Sequence, residues 1–386
     1  VSNLSSVNWF SSSKSDANAQ EVPYGATVRL LNAAEARLLN QALEAARARD
    51  IDRARSLAAG IDNATARKLV DWALVDTSAD LMSFEELAHA RVTFADWPRA
   101  ESRIMAGERA IGRSSASPAA VIGFFDGHPP LTIDGAIGLA LALEASGRAD
   151  EARPIIRDWW RNQSFEFDAQ SRILSIWPNW IAPADDEARL NMLLLGPHGP
   201  ATRAMIDRVS PEQRTLAQAV LALRTAYAPD AIVAGLTPAQ AGHPAVVLER
   251  VRILRSQGRE AEGFGLLAGL PAAPTHSDGQ NTLWSERRNY FLDALEVRNW
   301  QAAYDSMAGH GFPGGERMVD AEFFAGWVAL VKLNDPARAG RHFESLRQMS
   351  ETPITQGRAL YWLGRAAEAQ GDMGAARGYY GAGAIH

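Results

Sequence analysis

Cysteine is absent from this 386-residue chain. That removes disulfides, thiolate nucleophiles and Cys-ligated zinc together. It is compatible with an oxidising compartment, where stray thiols are a hazard. No stretch of 18 apolar residues occurs, so no segment is built to span a membrane as a helix. A basic excess is missing too: 39 Lys and Arg stand against 45 Asp and Glu, a net charge of −6. Nucleic-acid binding needs clustered cations to neutralise phosphates, so no nucleic-acid partner is expected. Strand signals are also scarce. No alternating run of β-branched residues lies between hairpin turns.

What the chain does have is helical period, from Ala33 almost to the end. In 38–61, Leu39, Ala42, Leu43 and Ala46 share a face, a polar corner follows at Arg49-Asp50, and Ala54, Leu57, Ala58 and Ile61 resume the period. The same helix–turn–helix plan recurs with turns at Gly147-Arg148, Gly258-Arg259, Arg298-Asn299, Asn334-Asp335 and Gly371-Asp372. A small residue stands four positions after each turn: Ala54, Ala152, Gly263, Ala303, Ala339 and Ala376. The last three are 36 and 37 residues apart, in the range of tetratricopeptide-like helix pairs. The expected fold is all-α, an α-superhelix (solenoid or ring) of degenerate helix pairs. A length beyond the ~250–300 residues of one core fits such an array. Residues 1–20, rich in Ser and Asn and without a signal-peptide apolar region, read as a flexible leader. Residues 21–386 form the α-superhelical domain, with 21–270 and 271–386 as sub-blocks.

Few residues offer chemistry. Glu101-Ser102 resembles the catalytic core of one class of glycan-cleaving enzymes. The Gly-rich, Met-Gln-ending stretch such a site needs is missing, and the flanks read as an amphipathic helix after Trp97-Pro98. The eight histidines include no two at the three-to-five spacing of a helical metal pair, although distant ones could assemble. Asp185-Asp186-Glu187 opens a helix, where acids cap the first turn and suit its dipole. Trp159, Trp160, Trp177, Trp180, Trp284, Trp300, Trp327 and Trp362 are mostly core candidates, and any exposed remainder could stack on sugar rings. No catalytic residue, metal or cofactor is implied.

Three stretches carry a resemblance. The first has Trp284, Glu286, Arg287 and Arg288; the second has Gly326, Trp327, Ala329 and Leu330. The third, "TPITQGRALYWLGRAAEAQGD" at 352–372, has Arg358, Tyr361, Trp362, Gly364, Arg365, Gly371 and Asp372. Together they resemble the end of the helical N-terminal region of soluble lytic murein transglycosylases. Upstream, Asp185, Arg189, Leu193 and Leu194 are similar to the family's acid–Arg–hydrophobic block. The resemblance implies a superhelical ring followed by a lysozyme-like catalytic domain. It implies periplasmic action on peptidoglycan, with one Glu as acid and then base and a 1,6-anhydro product, unlike the two-carboxylate plan. Here the text after Tyr379-Tyr380-Gly381 ends at His386, and the catalytic Glu-Ser and Met-Gln motifs are absent.

The chain is therefore expected to be the non-catalytic superhelical region, inactive alone. Its expected partners are peptidoglycan glycan strands and a lysozyme-like catalytic domain. Tyr361, Trp362, Arg365, Arg358, Tyr379 and Tyr380 are the candidate contacts. The alternative is a helical-repeat adaptor that binds a protein or peptide.

Overall fold

The computed structural model describes residues 31–386; the leader at 1–20 lies outside them. Among the described residues there are α-helices, short 3-10 turns and loops, and no strand. The all-α, helix-pair plan holds. The chain packs as two compact units divided between Ala110 and Ile111. The proposed 270/271 division falls inside the second unit.

All six expected turns share one backbone solution. The first residue of each pair is left-handed: Arg49, Gly147, Gly258, Arg298, Asn334 and Gly371 have φ between 53° and 80°. In five of them its N–H returns to a carbonyl three positions back, and the next N–H to one five back. This is the Schellman closure of a helix C-terminus. The turn at Asn334 is one residue wider, with the Asp335 N–H reaching Ala329 O.

The second residue of each pair opens the next helix. Asp50, Asn299, Asp335 and Asp372 accept the N–H three positions on, the usual N-cap bond. Arg148 and Arg259 cannot cap in this way. Each forks instead onto a Glu three positions later, Glu151 at 2.7 and 2.8 Å and Glu262 at 2.7 Å twice.

The small residues four positions after the turns are all buried. Ala152, Ile156 and Trp160 show the pattern: one stripe of the helix Ala149–Asn162, each 0% exposed. Gly263 is the one glycine of the set. A Cβ there would overlap the Tyr290 phenol, whose hydroxyl donates to Val251 O at 2.6 Å.

Three fully buried arginines hold helix ends. In the first unit, Arg103 donates to the carbonyls of Phe94, Trp97 and Pro98 at 2.5–2.8 Å, just past the helix Phe84–Thr93. In the second unit, Arg189 donates to Trp160 O at 3.0 Å and Gln163 O at 3.2 Å, at the end of Ala149–Asn162. Its Nε donates to Gln170, and its guanidinium lies 3.8 Å from the centre of the Phe165 ring. Arg287 donates to Ser306, Ala308, Gly309 and Pro271 carbonyls at 2.8–3.3 Å, around the end of Trp300–Met307.

A cation at a helix C-terminus suits the macrodipole, and each guanidinium supplies donors to carbonyls that have no intrahelical partner. Burial pushes Arg189 down to about 9 and Arg287 down to about 10. Both remain charged at neutral pH.

One further tie joins distant parts of the second unit. His276 Nδ1 accepts the Gly279 N–H at 3.0 Å, so Nε2 carries the proton and donates to Met192 O at 3.1 Å. Beside it, Thr275 Oγ1 donates to Asn162 O at 2.9 Å.

Replacing Arg287 by Met leaves four carbonyls without their donor. The expected loss is roughly 2–4 kcal/mol, read as a lower urea midpoint with an unchanged slope. Arg287→Lys, with a charge but no fork, should fall between Met and wild type. An Arg287→Met midpoint equal to wild type would show that the clamp does not stabilise the fold.

Candidate functional site

The six candidate contacts separate into two groups. Tyr361 and Arg365, both exposed, and Tyr380, half-buried, form a cluster on the helices Pro353–Ala369 and Met373–Gly383. Arg365 donates to the Tyr361 hydroxyl at 3.2 Å and pairs with Glu368 at 3.4 Å. The Tyr361 and Tyr380 rings are 5.9 Å apart. Burial, then a hydrogen bond with Glu368, push the Tyr380 hydroxyl up to about 12. Gly364 is the floor beneath the Tyr380 ring, where a Cβ would collide with it.

Trp362, Arg358 and Tyr379 turn toward the neighbouring helices. Trp362 stacks on Phe343 with centroids 5.7 Å apart and meets Phe323 edge-on. Arg358 lies 4.6 Å from the centre of the Phe323 ring. Tyr379 packs against the small core of Ala329, Ala339, Phe343 and Leu363.

Glu101 and Ser102 are exposed in the first turn of the helix Ala100–Ile111. Asp185 does cap: it accepts the Ala182 N–H at 2.8 Å, while Arg157 forks onto it at 2.9 and 3.1 Å. Asp186 does something else. It is buried, accepts the Trp160 indole N–H at 3.2 Å and pairs with Arg208 at 2.9 Å.

A polar cluster assembles from residues far apart in sequence. Glu322 Oε2 accepts from His342 Nδ1 at 2.6 Å, and Oε1 accepts from His310 Nε2 at 3.1 Å and Ser345 Oγ at 2.9 Å. His310 Nδ1 accepts the Phe312 N–H at 2.9 Å, which fixes its proton on Nε2. Tyr304 and His342 Nε2 are 3.0 Å apart. The order hydroxyl–imidazole–carboxylate resembles a nucleophile triad, but burial raises the Tyr304 phenol, the wrong direction for a nucleophile, and Arg338 covers its ring at 4.8 Å. The cluster ties three successive helices, and among the described residues no group of His, Asp and Glu is arranged to hold a metal ion.

Another concavity lies elsewhere in the second unit. A cleft of about 500 Å³ opens between the helix Pro118–Phe125, the loop after it, and the helices Ile133–Ala145 and Ala149–Asn162. Asp126 and Gly127 are both left-handed and turn the chain into the His128-Pro129-Pro130 wall. Phe125, Leu139 and Leu143 are buried in the floor. Opposite stand Trp159, half-buried, and Asp158, exposed. Pro154 sits inside the helix Ala149–Asn162 and lines the cleft. With no N–H of its own, it leaves the Asp150 carbonyl without its helical donor. An apolar floor with a few polar groups at the rim is the usual form of a ligand site.

Burial raises the Glu322 carboxyl, but hydrogen bonds from His310 and His342 outweigh it and hold it at about 2, below its ordinary 4.5. Its contribution is complete above about pH 4.5 and is lost as pH falls toward 2. Acid unfolding curves should show wild type losing on the order of 2–3 kcal/mol across that window. Glu322→Gln should lack that increment at neutral pH and give a flatter profile. Superimposable profiles would refute the assignment.

Comparison with protein-family models, with curated proteins and with solved structures gives no match.

Proposed function

We propose that this chain is the non-catalytic helical scaffold of a periplasmic, peptidoglycan-processing protein of the soluble lytic transglycosylase kind. In this reading it orients glycan strands, or docks a lysozyme-like catalytic domain, and cleaves no bond itself. The observation that carries the reading is where the resembling residues sit. Arg287 is the buried clamp on a helix end. Gly326 meets the Phe343 ring, 2.7 Å from where a Cβ would stand. Thr352 caps a helix and Pro353 starts it. Gly364 lies under Tyr380, and Gly371-Asp372 makes the next turn. The motif is thus a set of packing constraints, which is what similarity to a scaffold would preserve.

The adaptor reading has its own support. A groove of about 610 Å³ runs between the helices Pro336–Gln348, Pro353–Ala369 and Met373–Gly383. Its floor includes Gly340, Ala366 and Ala367, and its rim Arg341, Gln348 and Gln370. Such a surface suits a peptide segment.

Sedimentation with insoluble murein sacculi separates the two. The scaffold reading expects the chain in the pellet and no anhydromuropeptides in the supernatant. A chain left wholly in solution would favour the adaptor. Release of anhydromuropeptides would overturn the non-catalytic assignment.

A further inference from the structure

Ten tryptophans lie in the described residues, eleven in the chain less Trp9. Nine have a ring or cation against the indole. Trp72 and Trp97 pair with each other, as do Trp177 and Trp180, stacked 4.8 Å apart. Trp160 carries Arg189, Trp284 meets Phe312, Lys332 lies over both Trp300 and Trp327, and Trp362 stacks on Phe343. Trp159 alone among the described residues has neither. It is half-buried, held at the wall of the 500 Å³ cleft, with its aromatic contact unused.

From this we infer that the cleft is a binding site for an N-acetylated amino-sugar unit of a glycan, with Trp159 as its stacking platform. The inference rests on the peptidoglycan reading above and gives it a place. A pyranose ring presents a C–H face to an indole and hydroxyls at its edge. Asp158 is beside the indole; Asn162 occupies its Oδ1 at 2.7 Å, and Oδ2 has no partner among the described residues, leaving it free to accept a sugar hydroxyl. His128 stands on the facing wall. The floor of Phe125, Leu139 and Leu143 suits an acetamido methyl.

The electrostatics select against anions. Arg148 is the one arginine or lysine in the lining, and Glu151 already takes its guanidinium through two bonds. A phosphate or carboxylate ligand would find no free cation and would face Asp158. An uncharged, amphipathic ring meets neither obstacle.

The test uses the full chain, murein sacculi and a β-1,4-linked tetramer of N-acetylglucosamine. Calorimetry should detect tetramer binding by wild type. Trp159→Ala should weaken it at least tenfold, Trp159→Phe should retain part, and Tyr227→Ala, at a tyrosine 97% exposed, should change nothing. Should Trp159→Ala unfold, wild type alone still decides: the tetramer should protect Trp159 from N-bromosuccinimide oxidation, read by peptide mass.

Retention on sacculi with neither a Trp159→Ala effect nor protection would overturn the cleft and leave the peptidoglycan reading standing. Failure of wild type to bind sacculi and tetramer alike would overturn both.

Discussion

A charged group taken out of water at the end of a helix is the constraint on which this architecture rests. Arg103, Arg189 and Arg287 are each almost wholly buried, and each donates mainly to backbone carbonyls rather than to a carboxylate, although Arg189 Nη2 and Arg287 Nε are left without an acceptor. Burying such a cation is costly unless its donors find acceptors. Carbonyls at a helix C-terminus are short of donors in turn. The two deficits cancel only when the helix end stands in one place, so the clamp fixes position as well as energy. Packing between alanine-rich faces is less selective, because small side chains tolerate sliding.

The turns act at a shorter range. A left-handed residue followed at once by the first residue of the next helix's cap joins two helices with almost no intervening chain, and so restricts how they cross. Arg148 and Arg259 show that the cap can be replaced by a forked ion pair in the same position. Both pairs are largely exposed, so they add little stability and serve mainly to hold the first turn together.

Much of this was legible in the sequence. Every turn pair fell where the left-handed residue is: Gly or Asn, which adopt that backbone readily, stands there in four of the six, and at Arg49 and Arg298 the legible mark is the capping Asp50 or Asn299 that follows. The small residues were legible as positions of close approach. Arg287 left a readable trace: it occupies the apolar stripe with Leu283, Tyr290, Phe291 and Ala294, where a charge makes sense only if it is clamped. Trp159 and Trp160 could also be separated, since Ala152, Ile156 and Trp160 define the inward stripe and Trp159 falls beside it. The Glu322 cluster could not be read. His310, Glu322 and His342 stand 12 and 20 residues apart, and no local period predicts which turn of one helix will face which turn of the next. Nor could the sequence show that Trp362 spends its face on Phe343 while Tyr361 keeps its own at the surface.

The tie between His276 and Met192 changes how the array comes apart. A row of helix pairs held only by neighbours melts piecemeal, each pair fraying at its own free energy. Here Thr275 and His276 are bonded to Asn162 and Met192 across 113 and 84 positions of chain. Closing a loop that long costs roughly 4 kcal/mol of chain entropy, and no helix pair inside it recovers that cost alone. Once formed, the contact links the fates of all the helices it encloses. A nearest-neighbour array becomes, over its middle hundred residues, a single cooperative block.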